Sequence, residues 1–228
     1  MRIRKTPLAL LIASLGLAPA AQAAPTVVEL FQSQGCSSCP PADANLNAIA
    51  DRPDVLALSF AVTYWDDLGW KDTFASPAFT ARQYAYMHGL GRSNVATPQV
   101  VVNGRRDLVG VDSRELAATI RAAGAPAGAS LAVANGSVSV AAGSAPAKGA
   151  DVWLVRYDPR VQWVAIRRGE NGGKTLPHRD IVREFTRLGG WFGAARDFPL
   201  PAADASGLKT AILVQTTGGG PILAAAKL

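Results

Sequence analysis

Two cysteines, Cys36 and Cys39, are separated by two serines and limit the folds open to this chain more than any other part of its sequence. The residues before the pair, 27–32, are mostly apolar and predict a buried strand that ends at a glycine turn. A helix is predicted to follow, because Pro40 suits a first helical turn and apolar residues then recur at helical spacing. A C-x-x-C unit between a buried strand and a helix start is typical of a redox-active pair.

The two sulfurs are expected to have different roles. A helix N-terminus stabilises a thiolate through its unpaired amides and its dipole. Cys36 lies nearer the tip of the loop, so we expect it to be reachable and to act as the nucleophile, with Cys39 as the resolving thiol. A residue before proline avoids helical dihedrals, so the helix should begin at Pro40 and lower the pKa of Cys36 only mildly. An inert structural disulfide and a metal thiolate site are the alternatives.

Few other side chains in the sequence suit a metal. In the chain expected after signal cleavage, only His88, His178 and Met87 add imidazole or thioether donors, whereas a closed site usually needs four ligands. We therefore predict no metal site and no cofactor. His178 follows a proline in a polar stretch and is expected to be a solvated loop histidine, and residues 170–173 are expected to form a turn.

The start of the chain has the pattern of a cleavable export signal, residues 1–23. Basic residues precede a short apolar run, and Ala-Gln-Ala then predicts cleavage just before Ala24. The run is too short to span a bilayer, so no stable membrane insertion is expected. Loss of three basic residues would lower the formal charge from +6 to +3, and the arginines form no basic stripe that would suit nucleic acid. The sequence therefore predicts a periplasmic or secreted protein, in a compartment where a disulfide persists.

Two parts of the chain differ in pattern. Residues 25–126 predict strand, helix, strand, helix, hairpin and helix, with residues 108–111 as the returning strand of the hairpin and Ser113 as the cap of the last helix. Residues 127–228 predict antiparallel strands, with 131–133 and 138–140 around an Asn-Gly turn and 152–157 and 161–166 around an Asp-Pro turn. A linker near residue 126 is expected to separate two domains.

The C-x-x-C unit, the acid in the first strand, and Thr97-Pro98 before a Val-Val-Val-Asn-Gly hairpin resemble the thioredoxin superfamily. The chain resembles more closely the bacterial exported family called domain of unknown function 1223. The segments that carry this likeness are residues 29–43, 64–72, 97–104, 168–172 and 175–176. The resemblance implies an α/β protein in which a thioredoxin-like fold, residues 25–126, is followed by a smaller antiparallel β-rich domain, residues 127–228.

The resemblance also implies roles for three further residues, and the position of a fourth, Trp65, after the second predicted strand indicates a role at the same edge of the sheet. Pro98 would form a cis peptide bond that lets Thr97 pair with a substrate peptide beside the sulfurs; the alternative is an ordinary trans proline. Glu29 would be a buried acid that accepts the proton of the resolving cysteine, and its alternative is a strand-end glutamate facing water. Trp65 belongs to an aromatic loop that either forms a wall over the disulfide or packs the two halves together.

The leading functional hypothesis is an exported thiol-disulfide oxidoreductase that uses Cys36 and Cys39. Its expected partners are protein or small-molecule thiols and disulfides, and a redox partner that resets the pair. A non-catalytic thioredoxin-fold binding protein with a structural disulfide is the first alternative. A copper-handling protein that uses both thiolates is the second.

Overall fold

The computed structural model describes residues 24–202 and 207–228, so the predicted signal peptide, residues 1–23, lies outside the described residues. Within them are thirteen strands, three α-helices and a 3₁₀ turn at Asp66–Leu68. In chain order the helices and strands are β1 (Thr26–Gln32), α1 (Pro40–Ile49), β2 (Val55–Ala61), α2 (Pro77–Gly89), β3 (Gln99–Val102), β4 (Arg106–Leu108), α3 (Ser113–Ala123), β5 (Leu131–Ala134), β6 (Ser137–Val140), β7 (Ala150–Asp158), β8 (Gln162–Ala165), β9 (Thr175–His178), β10 (Ile181–Trp191), β11 (Arg196–Pro199), β12 (Lys209–Thr216) and β13 (Ile222–Lys227).

Eight strands form one mixed sheet in the order β13-β12-β7-β10-β2-β1-β3-β4. β1 and β2 run parallel, which requires a crossover connection, and α1 supplies it. β3 pairs antiparallel with β1, and β4 pairs antiparallel with β3. The predicted element order of the first half is confirmed, although the returning strand ends at Leu108. The cap of α3 is Asp112 rather than Ser113, because the Asp112 carboxylate accepts hydrogen bonds from the backbone of Arg114 and Glu115.

The central strands β1 and β2 are buried along their whole length, so each face of the sheet has its own core. On one face, Val28 of β1 packs in a cluster with Leu46 of α1. On the opposite face, Phe31 of β1 packs with Tyr86 of α2. Side chains alternate along a strand, so Glu29 lies on the face of α2 and not on the face of α1.

The strands of the second half pair antiparallel with one another, as the sequence predicts, but four of them, β7, β10, β12 and β13, extend the sheet of the first half. β10 lies parallel to β2, and the Ser59 amide donates a hydrogen bond to the Asp180 carbonyl at 2.9 Å. Two smaller antiparallel sheets, β11-β6-β5 and β8-β9, complete the described architecture. The protein is therefore a mixed α/β protein with one large sheet, and the division into two domains near residue 126 stays a prediction.

One predicted strand pairing is wrong. The strands on either side of the Asp-Pro turn, β7 and β8, do not pair with each other: β7 lies between β10 and β12, and β8 pairs with β9. The sequence pattern did not predict β10, because arginines and two adjacent glycines interrupt the alternation of apolar residues in this strand. Since β10 takes the place beside β7, β8 is left in a two-stranded sheet.

Candidate functional site

Cys36 and Cys39 form a disulfide in the loop between β1 and α1. The carbonyl of Cys39 accepts hydrogen bonds from the amides of Ala42 and Asp43, so Cys39 is the N-cap of α1. The helix begins at Pro40 as predicted. Cys39 itself nevertheless has helical dihedrals, φ −77° and ψ −33°, which corrects the expectation that Pro40 would exclude them.

The expected exposure of Cys36 is wrong, because Cys36 is 0% and Cys39 1% exposed. The loop between β8 and β9, residues 166–174, docks on the backbone around the pair. The Asn171 amide nitrogen donates hydrogen bonds to the carbonyls of Gln34 and Cys36 at 3.0 and 2.8 Å. Asn171 is itself fully buried, so these hydrogen bonds are shielded from water. We call residues 166–174 the β8–β9 loop below.

A second contact of the β8–β9 loop lies at the surface. The Glu170 carboxylate accepts hydrogen bonds from the Ser37 amide at 3.1 Å and from the Ser37 hydroxyl at 2.6 Å. These hydrogen bonds lower the pKa of the Glu170 carboxyl, because they stabilise its charged form. Residues 170–173, which the sequence predicts as a turn, therefore also hold the disulfide loop in place.

Thr97 and Pro98 lie beside the disulfide loop, and the peptide bond between them is cis, as the resemblance implies. The Ser38 hydroxyl lies 3.4 Å from the sulfur of Cys36 and donates to the Thr97 carbonyl at 3.5 Å. The Trp65 indole donates to the Thr97 hydroxyl at 2.8 Å. The structure thus brings Trp65, Thr97 and Pro98 together with the cysteine pair, and Trp65 also packs against the core on the α2 face.

Glu29 is not brought to the disulfide. Its side chain is 0% exposed, so the alternative of a strand-end acid facing water is wrong. Its carboxylate forms a salt bridge with Arg82 of α2 at 2.6 Å and accepts a hydrogen bond from Tyr86. Burial raises the pKa of Tyr86 well above its ordinary value, so the phenol stays a proton donor. This network lies on the face of the sheet opposite α1, the helix that begins directly after the cysteines.

The prediction of a solvated His178 is also wrong. His178 is 1% exposed, and its Nδ1 lies 3.7 Å from a carboxylate oxygen of Asp43 in α1. The Phe74 ring packs edge-on against the imidazole at 6.1 Å between centroids. Sequence reasoning missed Asp43, although its position four residues after Cys39 places it one helical turn away.

Asp72 belongs to the same buried region and was also missed. It is 3% exposed, and its carboxylate accepts hydrogen bonds from the amides of Gln34 at 2.7 Å and Phe74 at 2.8 Å. Burial raises the pKa of both Asp43 and Asp72. Two acids with raised pKa values and a histidine therefore lie behind the disulfide loop.

No helix in residues 24–202 and 207–228 is long and apolar enough to cross a bilayer. In the same part of the chain, no three His, Cys, Asp or Glu side chains are grouped so as to hold a metal ion.

A cavity of about 410 Å³ lies on the other face of the sheet from α1. Its lining includes Arg82, Tyr86, Trp153 and Phe185, and neither cysteine belongs to it. The disulfide and this cavity are therefore separate features of the fold.

Fold and site together define a mixed α/β protein with a single disulfide at the start of a helix, beside a cis proline. The family model described as "Protein of unknown function (DUF1223)" matches residues 27–215, and the chain belongs to this family. The resemblance to the family called domain of unknown function 1223 is thereby confirmed, and the resemblance to the thioredoxin superfamily stays a prediction.

Two solved structures are similar to this chain. An X-ray crystal structure of a protein from Agrobacterium tumefaciens is 35% identical, with 92% of this chain and 96% of that chain covered and a TM-score of 0.74. HBP35 of Porphyromonas gingivalis is 14% identical, with 91% and 76% covered and a TM-score of 0.55, which is a likeness of fold alone. The comparison with curated proteins gave no match.

Proposed function

We propose that this protein is an exported thiol-disulfide oxidoreductase of the thioredoxin superfamily that uses Cys36 and Cys39. The observation that carries the proposal is the disulfide at the start of α1, linked through Ser38 to the cis Thr97–Pro98 segment. The strand order β2-β1-β3-β4, with β1 and β2 parallel and β3 antiparallel, supports the same superfamily.

The proposed reaction exchanges two thiols for one disulfide. A substrate thiolate attacks the Cys36 sulfur, the Cys36–Cys39 bond breaks, and Cys39 leaves as a thiolate. A second substrate thiolate then attacks the mixed disulfide, which releases an oxidised substrate and leaves both cysteines reduced. The reverse sequence reduces a substrate disulfide. The helix N-terminus stabilises the developing thiolate, and the backbone of Thr97 offers an extended substrate peptide a place to pair.

Access to Cys36 requires a movement of the β8–β9 loop, since both sulfurs are buried in the oxidised state. The contacts between Glu170 and Ser37 are at the surface and can exchange with water at little cost. The contacts of Asn171 are buried and hold more strongly. We propose that substrate or reductant reaches the pair only when this loop opens.

The signal-like residues 1–23 support a periplasmic or secreted location under this proposal. The partners are thiols or disulfides of proteins or small molecules, together with a dithiol or disulfide partner that resets the pair. No cofactor is needed for the exchange itself.

The burial of both sulfurs favours one other candidate, a binding protein in which the disulfide only fixes the loop before α1. The reduction potential separates the two. A working pair should lie between about −120 and −270 mV, whereas a structural disulfide should lie below about −300 mV.

Trapping with Cys39→Ser provides the direct test of the oxidoreductase. The variant should accumulate mixed disulfides through Cys36, and Cys36→Ser/Cys39→Ser should accumulate none. A potential below about −300 mV together with an empty trap would support the structural disulfide instead.

A further inference from the structure

His178, Asp43 and Asp72 form a buried cluster that the proposed exchange does not yet use. Among the described residues, neither ring nitrogen of His178 has a hydrogen-bond partner, and its nearest charged neighbour is Asp43. Apolar side chains would fill such a site at a lower desolvation cost than two acids and an imidazole. A cluster of this kind therefore needs an explanation beyond packing.

This cluster contacts the disulfide loop on both sides of the cysteines. Asp43 follows Cys39 by one helical turn, and its amide donates to the Cys39 carbonyl at 3.1 Å. Asp72 binds the amide of Gln34, two residues before Cys36, at 2.7 Å. The cluster is therefore bound to the backbone both before and after the cysteine pair, and a charge that develops on the sulfurs lies within a few residues of these contacts.

Few charged side chains face His178. Asp43 faces it from α1, and Asp72 faces it from the connection between β2 and α2. Arg183 of β10 lies over the Phe74 ring that packs against the imidazole.

The segment that carries His178 itself contributes two charged residues. Arg179, the next residue, is paired with Asp51, and Asp180 follows Arg179. Gln162, the register partner of His178 in β8, is uncharged.

We propose that Asp43 and His178 are positioning residues that together take up one proton when the Cys36–Cys39 disulfide is reduced and release it on reoxidation. The inference rests on the proposed function. Two substrate thiols give two electrons to the disulfide and lose two protons: one protonates the Cys36 sulfur, the other goes to Asp43 and His178, and Cys39 stays a thiolate. A thiolate one helical turn from a buried carboxylate is unfavourable, and a proton held by Asp43 and His178 removes that repulsion.

Titration of the histidines by NMR tests this coupling. The chain has only two histidines, and the exposed His88 provides an internal reference that His88→Gln assigns. The oxidised protein is compared with protein reduced by a water-soluble phosphine. The titration midpoint of His178 should rise by about one pH unit on reduction, because a negative charge has appeared nearby. The midpoint of His88 should stay constant.

The variant Asp43→Asn should lose at least half of the shift, while Glu115→Gln on the exposed face of α3 should keep all of it. An equal His178 midpoint in the two redox states overturns the inference, and this comparison needs no variant to fold. A full shift in Asp43→Asn overturns the part assigned to Asp43.

The two proposals fail separately. Thiol exchange with no shift contradicts only the coupling, and a shift without any exchange with substrate thiols contradicts only the oxidoreductase. A disulfide that the phosphine cannot reduce in the folded chain contradicts both.

Discussion

The side-chain amide of Asn171 donates a hydrogen bond to the carbonyl of Cys36 at 2.8 Å, across a sequence separation of 135 residues. A residue of the second half thus holds the backbone of the cysteine that the proposed chemistry uses first. Under the proposed function, a reaction at Cys36 is coupled to the position of the β8–β9 loop.

Asn171→Asp should destabilise the protein by about 2–4 kcal/mol, because a buried carboxylate would then face two carbonyl oxygens in place of a donor. Urea unfolding at neutral pH measures the loss. The same change at the exposed Asn94 is the matched control and should alter stability by less than about 0.5 kcal/mol. Equal effects at the two positions would show that the contact with Cys36 contributes nothing.

Glu170→Gln should speed the reduction of the disulfide by dithiothreitol several-fold, because a neutral amide holds Ser37 less strongly than a carboxylate does. Stopped-flow measurement of the change in Trp fluorescence follows the reaction. Glu115→Gln, which removes an exposed charge far from the loop, should react at the rate of the parent protein. An unchanged rate of reduction for Glu170→Gln would show that the contact with Ser37 does not limit access to Cys36.

Glu29→Gln should cost about 3–5 kcal/mol of stability, because it leaves the buried Arg82 charge without its partner. Glu29→Leu/Arg82→Met should cost less than the single change, since no buried charge remains. Chemical denaturation compares the three proteins. The rate of exchange at Cys39 should stay near that of the parent, because Glu29 lies on the opposite face of the sheet. A large loss of that rate in a folded Glu29→Gln protein would restore the role in proton transfer that the resemblance implies.

Asp180→Asn should stabilise the protein at neutral pH. Burial raises the pKa of Asp180 to about 7, so the folded state binds a proton that the unfolded state has already lost. The Asp180 contribution to stability therefore falls as the pH rises from its unfolded pKa near 3.8 to about 7. Asn accepts the positive φ of 49° found at this position.

Urea unfolding between pH 4 and 8 should give a flatter profile for Asp180→Asn than for the parent. The gain at pH 7.5 should be about 1–3 kcal/mol after allowance for partial solvation. Asp197→Asn, at an exposed strand position, should leave the profile unchanged. Parallel profiles for the parent and Asp180→Asn would contradict the raised pKa.

The sequence predicted much of the first half because its signals are local. The apolar run before Cys36, the prolines at the start of α1 and the spacing of apolar residues report on strand and helix within a few positions. The resemblance added the cis bond at Pro98, which is confirmed. Asp43 was accessible to the same reasoning, since helical spacing alone relates it to Cys39.

Local sequence pattern is enough to place a C-x-x-C unit between a buried strand and a helix. The burial of Cys36, the pairing of Glu29 with Arg82 and the contact of His178 with Asp43 become visible only in the folded chain. The physical reason is separation along the chain: these contacts join residues 53 to 135 positions apart. Periodicity and capping act over a few residues, whereas the desolvation and pairing of a side chain depend on every element that packs around it.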